Sequence, residues 1–107
     1  MGRERRQLKR FMARIPAMFM CGGMTSEGYV KNLSKEGLFL RTESLPKPGE
    51  PVHVLLRPPE GERVEVKGVV CWTTDQVPDR SPQKGFGMLI DAPTTEYLEL
   101  FQNVLLN

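Results

Sequence analysis

The chain has 107 residues, a formal net charge of +2, 26% charged residues and 39% hydrophobic ones. That composition sets one domain with a modest core, and no stretch approaches the ~20 apolar residues of a membrane-spanning helix. A single histidine and two cysteines fifty residues apart, Cys21 and Cys71, leave no metal-ligand cluster and no Cys-x-x-Cys pair, so both thiols are expected reduced and packed, with no cofactor or metal.

Charge is uneven along the chain. Arg3, Arg5, Arg6, Lys9, Arg10 and Arg14 face a single acid, Glu4, within the first fourteen residues. Residues 1–14 are therefore expected to form a basic arm and 15–107 a folded unit. Met1-Gly2-Arg3-Glu4 opens on charge with no apolar run of signal-peptide length behind it, so the expected location is the cytoplasm, without membrane insertion.

Beyond the arm, apolar residues recur with period two between Gly- and Pro-rich punctuation, which predicts a succession of short strands. Ile15 to Cys21 reads as the first, Gly22-Gly23 as a turn, Glu27 to Leu33 as the antiparallel return and Gly37 to Thr42 as the third. Leu45-Pro46-Lys47-Pro48-Gly49-Glu50-Pro51 lacks too many ladder donors for a central strand and must connect. Val52, Val54 and Leu56 then alternate with His53, Leu55 and Arg57, and Pro58 to Gly61 turns the chain again.

Val64, Val66, Val70 and Trp72 share one face of a long strand, which puts Trp72 in the core, with a rim tryptophan able to stack on a base as the alternative, and Gly68 within it signals a bend or bulge. Thr74 to Lys84, with Pro78 and Pro82, reads as an exposed loop. Phe86, Met88 and Ile90 are in phase in a last strand. After Pro93 the period becomes helical through Tyr97, Leu100, Phe101, Val104 and Leu105, with Pro93 suited to the first helical turn. Six strands and one terminal helix fit a mainly β architecture, a closed antiparallel barrel with the helix over its mouth.

Two motifs carry chemistry. Arg6 and Arg10 stand four apart with Arg5 directly before them. An arginine fork can donate two parallel hydrogen bonds to O6 and N7 of a guanine, or sit on phosphate oxygens. Asn32-Leu33-Ser34-Lys35-Glu36-Gly37 places Asn32 and Ser34 two apart at a strand end, on the same side of a strand. Asn32 could accept from a guanine donor and Ser34 could reach a phosphate, while Gly37 supplies a positive φ or room for a ligand. The structural alternatives are a solvated arm and a polar turn joining two strands. His53 reads as a strand histidine rather than a catalytic one, and Phe11 and Met12 as a staple of the arm to the barrel.

Taken together, Arg-Arg-x-x-x-Arg at Arg5 to Arg10, Asn-x-Ser-x-x-Gly at Asn32 to Gly37 and the following Leu38-Phe39-Leu40-Arg41-Thr42 resemble the PilZ domain, a receptor module for cyclic di-GMP. The Pro/Gly connection, Val69-Val70-Cys71-Trp72, the Gly-Phe-Gly-Met strand and the final helix recur in that family's order. The resemblance implies a six-stranded barrel with cyclic di-GMP held by Arg6 and Arg10 on one side and Asn32, Ser34 and Gly37 on the other. It also implies a role for Arg5 in whether one ligand or a stacked pair is held. Asn32 replaces the family's frequent Asp, removing one anionic acceptor. The implied action is a receptor and adaptor whose arm closes on the ligand and changes a surface read by an effector protein.

No Ser or Cys beside a base and no phosphate-cradling glycine loop support an enzyme. Two alternatives from other classes stand beside the receptor: a PilZ-like interaction adaptor without ligand, and a small barrel that binds single-stranded nucleic acid. Charge confined to one arm argues against specific nucleic-acid binding.

Overall fold

The structure, a computed structural model, describes residues 10–76 and 83–106. Six antiparallel strands, β1 (Phe11–Cys21), β2 (Met24–Leu33), β3 (Gly37–Arg41), β4 (Pro51–Leu56), β5 (Val64–Thr73) and β6 (Gly85–Ile90), close a barrel in the order β1-β2-β3-β6-β5-β4. Closure leaves no free sheet edge. One helix, α1 (Thr95–Leu106), follows. The six-stranded barrel with a terminal helix is the architecture expected from the sequence.

Strand alternation builds the core. Phe19, Val30, Leu33, Leu38, Leu40, Val54, Leu56, Val70 and Phe86 are fully buried, with Phe19 edge-on to Phe86 at 5.1 Å between ring centres. Gly22 and Gly23 both take positive φ, 59° and 79°, as a two-residue hairpin with the twist of its flanking strands requires. Such a turn brings β1 back as β2 with unbroken register from Cys21↔Met24 to Ile15↔Val30.

β1 begins at Phe11, four residues before the strand expected from Ile15, and Phe11 and Met12 pair with Leu33 and Asn32 across an irregularity between Met12 and Ile15. Phe11 packs edge-on against Phe101 of α1, 5.6 Å between centres, so it does anchor the chain below the arm. Met12 does not, since it is 70% exposed.

α1 lays Tyr97, Leu100 and Phe101 into the barrel mouth. Its cap is Thr94, whose Oγ1 accepts from the Tyr97 N–H at 3.1 Å while the Thr94 carbonyl accepts from Leu98 at 3.0 Å. Pro93 therefore precedes the cap instead of occupying the first turn, and Ala92 ahead of it takes φ 55° to redirect the chain.

Two expectations for β5 are corrected. Gly68 keeps unbroken register with β4, opposite Val52, and carries no bulge there. A Cβ on it would fall 1.9 Å from the Leu89 carbonyl oxygen, so glycine is needed for close approach of β6. The irregularity lies further along, where Val70↔Met88 is followed by Trp72↔Gly87 and Cys71 is left over. One extra residue inverts the phase. Thr73 turns inward with 1% exposure, and Trp72 turns outward, not into the core. Cys71, expected packed, is exposed, whereas Cys21 is buried.

Candidate functional site

The site is assembled where three strand ends meet beside α1. Arg10 precedes β1, Ser34 to Gly37 join β2 to β3, and the β5 bulge brings Cys71 and Trp72 beside Gly87, Met88 and Leu89 of β6. Arg10, Ser34, Gly37 and Trp72 line one pocket of about 140 Å³. Arg10 is exposed and Ser34 is buried, at 3%.

The polar turn is held from three directions. Ser34 Oγ donates to the Gly37 carbonyl at 3.3 Å and accepts from the Glu36 N–H at 3.4 Å, and the Ser34 N–H donates to the same Gly37 carbonyl at 2.8 Å. Tyr97 reaches over from α1, its hydroxyl donating to the Ser34 carbonyl at 2.7 Å, with the Gly37 carbonyl at 3.3 Å. Burial pushes the Tyr97 phenol well above its ordinary value, the nearby Arg10 cation pulling weakly the other way, so the hydroxyl stays a donor across the neutral range. The Ser34 hydroxyl is thus already engaged in shaping the turn.

Gly37 has an ordinary negative-side backbone; positive φ among the described glycines occurs at Gly22, Gly23, Gly49 and Gly61. Its requirement is space, because a Cβ would sit 2.6 Å from the Met88 carbonyl oxygen of β6. Asn32 stands two residues before Ser34 on β2, outside the pocket wall. Its Oδ1 is buried and has no hydrogen-bond partner among the described residues, a state that costs about 1–3 kcal/mol where it persists. Arg5 and Arg6 lie outside the described residues, as do residues 77–82 of the loop.

The aromatic wall matches the alternative reading of Trp72 as a rim residue, and its pairing with Phe39 was not foreseen. Trp72 stacks on Phe39 with ring centres 5.4 Å apart and planes 22° from parallel. Both rings lie over glycines of β6: a Cβ on Gly87 would meet Trp72 Nε1 at 2.3 Å and one on Gly85 would meet the Phe39 ring at 2.5 Å. Gly85 and Gly87, two apart on the outward phase of a strand, were the available signal. On the neighbouring outer face Arg14 covers the Tyr29 ring at 4.4 Å, a cation–π contact that faces away from the barrel interior. His53 is half-buried, its Nε2 3.7 Å from a Glu65 carboxylate oxygen and without a hydrogen-bond partner among the described residues.

A cation, a polar turn and an exposed indole thus stand around one opening of the closed six-stranded barrel. Its family follows from the sequence as a whole: the PilZ domain model matches residues 4–106, and the chain belongs to the PilZ domain family, a family of cyclic di-GMP receptors. Among solved structures, it is similar to the Bacillus subtilis inhibitor of motility MotI/DgrA, with TM-score 0.76 and 19% identity over 94% of this chain and 49% of that one. The chain thus spans about half the length of that protein. It is also similar to the PilZ domain of CeSA from a cellulose-synthesizing bacterium, with TM-score 0.62 and 15% identity over 91% of this chain and 95% of that one. At these identities the likeness is one of fold. No curated protein matches the chain in sequence.

Proposed function

We propose that this protein is a receptor and adaptor for cyclic di-GMP, acting in the cytoplasm and without catalysis of its own. The observation that carries the reading is the meeting of Arg10 with Ser34 and Gly37 in one pocket, halves of two motifs that are 22 residues apart in the chain. In this reading Arg10 gives its guanidinium to a guanine Hoogsteen edge or a phosphate. Trp72 offers an exposed π face beside it, on which a purine can stack.

Asn32 Oδ1 supplies a buried acceptor without a donor, and a guanine N1 or N2 donor would satisfy it after a small side-chain movement. Ser34 and Gly37 act mainly through the shape of the turn, which presents backbone and hydroxyl at the pocket wall. A pocket of about 140 Å³ is smaller than the ~300–1,000 Å³ of small-molecule sites. The remaining wall comes from Arg5 and Arg6, which close over the ligand as it binds. Ordering of the arm changes the outer surface at this end of the barrel, and an effector protein reads the change.

Titration calorimetry of cyclic di-GMP against the wild-type chain, Arg6→Ala, Arg10→Ala and Trp72→Ala tests this, with single-stranded RNA as control. Binding heat should vanish or fall steeply in each variant, and RNA should bind weakly and lose binding with salt. Tight binding unaffected by both arginine changes would remove the site. An absence of any binding by the wild type would favour the ligand-free adaptor.

A further inference from the structure

Beside α1 lies a cleft of about 630 Å³, its floor made by Ile15, Pro58, Pro59, Leu100, Val104 and Leu106. A smaller cleft of about 240 Å³ continues it, sharing Pro58, Glu60, Leu100 and Asn103. One wall is a face of α1 and the other is the connection from β4 to β5, residues 57–63. Positions 96, 99, 100, 103 and 104 recur at helical spacing and so share that face of α1. Leu100 and Val104 supply its apolar surface, with Glu96 and Glu99 along the edge. Glu60 and Glu62 come from the opposite wall.

The floor is unfinished. Leu106 is 79% exposed and Leu105 beside it 44%, and large aliphatic side chains left uncovered next to a groove mark an interaction site. Glu60, Glu62, Glu96 and Glu99 are all exposed, and among the described residues none has an ion-pair partner. Arg63 is the one cation that lines the cleft with them. Glu96 complements the N-terminal end of its own helix; Glu60, Glu62 and Glu99 have no such role.

Charge determines what can cover this floor. Anionic edges on both sides repel the phosphates of nucleic acid and of anionic lipid, and they disfavour a second copy that presents the same face. They accept a segment whose apolar stripe is flanked by cations on either side, which is the pattern of a basic amphipathic helix lying in a groove. α1 has 12 residues and is ~18 Å long, enough to run beside about three turns of such a helix.

We infer that this cleft is a docking site for a cationic amphipathic helix of a partner protein. Its apolar stripe lies on Leu100, Val104 and Leu106, and its Lys or Arg side chains meet Glu60 and Glu62 on one side and Glu96 and Glu99 on the other. The inference stands whether or not the chain binds cyclic di-GMP, since the Arg10 pocket shares no residue with the cleft. Attraction at an exposed rim is screened, the Debye length shrinking from ~10 Å at 0.1 M to ~3 Å at 1 M salt. Charge therefore selects the partner and speeds encounter, and the apolar floor holds it.

The probe is a synthetic peptide of about four helical turns, built from Leu and Lys with its leucines at i, i+3, i+4 and i+7. Added to the isotope-labelled full chain, it should shift the amides of residues 58–63 and 95–106. Its affinity should fall about tenfold for the variant Glu60→Gln, Glu62→Gln, Glu99→Gln, and again for Leu106→Lys, all at exposed positions that leave the fold intact. Salt at ~1 M should reproduce the first loss, and a peptide of the same composition with its leucines scattered should not bind the cleft. Absence of binding, shifts centred elsewhere on the barrel, affinity unchanged in both variants, or equal binding by the scattered peptide overturns the inference. Cleft shifts that grow with protein concentration before any peptide is added give the cleft to a second copy. Displacement of the probe by an equal concentration of a synthetic peptide of residues 1–9 gives it to the chain's own leader. Either of these results also overturns the partner reading.

Discussion

Trp72 lies flat against Phe39 on the outside of the barrel because the two strand positions beneath them, Gly85 and Gly87, carry no side chain. The pair is an aromatic shelf at the edge of the Arg10 pocket, 37% exposed at Trp72 and almost covered at Phe39. Its position follows from one extra residue, Cys71, between two ladder pairs.

Gly87→Ala should lift the indole, since the added Cβ would lie 2.3 Å from Trp72 Nε1. Trp72 is the single tryptophan of the chain, so its fluorescence reports the change alone. The emission should shift to the red, cyclic di-GMP binding should weaken, and stability should fall by roughly 1–3 kcal/mol as in other overpacked sites. Unchanged emission and affinity would mean that the shelf does not hold the indole.

Tyr97→Phe should cost about 1–3 kcal/mol in urea unfolding, because the buried Ser34 carbonyl loses its 2.7 Å donor. The variant should also weaken ligand binding, as the turn carrying Ser34 and Gly37 is no longer held to α1. A stability within error of wild type would show that the Ser34 carbonyl finds another donor.

Alkaline pH should destabilise the protein. Burial, with Glu50 beside it, pushes the Cys21 thiol from 9.0 up to about 11, and burial raises the Tyr97 phenol above its ordinary 10.0. Both groups keep their protons longer in the folded than in the unfolded chain, so the folded state binds more protons and stability falls as pH rises. The contribution is complete below pH 9, and Cys21 loses its share between 9 and about 11. Denaturant midpoints measured from pH 8 to 11 should decline, and the decline should shrink in Cys21→Ala with Tyr97→Phe. A midpoint flat over that range would contradict the assignment.

Asn32→Ala separates stability from function. Removal of a buried Oδ1 that has no hydrogen-bond partner should leave unfolding free energy unchanged or raise it by up to ~1 kcal/mol, while cyclic di-GMP affinity falls about tenfold, the equivalent of ~1.4 kcal/mol. A loss of stability with unchanged affinity would reverse the roles assigned to this residue.

A thiol reagent at pH 8 should modify Cys71 at once and Cys21 only on unfolding, because Cys71 is exposed whereas Cys21 is buried and donates to Glu50 at 3.3 Å. Two fast-reacting thiols, counted by mass spectrometry, would refute the packing of Cys21.

By itself the sequence determined the strand count, the closed barrel, the terminal helix and the family. Those properties repeat along the chain: inward residues such as Phe86, Met88 and Ile90 alternate over a whole strand, Gly22-Gly23 permits one kind of hairpin, and Tyr97, Leu100 and Phe101 return with helical period. Tertiary structure alone decided which way Trp72 faces, since a single unpaired residue shifts every later position to the opposite face and period-two reading carries no mark of where that happens. It also decided that Gly37 serves strand approach rather than φ, and that Ser34 bonds within its own turn. The first depends on the carbonyl of Met88, brought near only when β6 pairs with β3, and the turn that engages the Ser34 hydroxyl is held in place by the hydroxyl of Tyr97 once α1 closes over it.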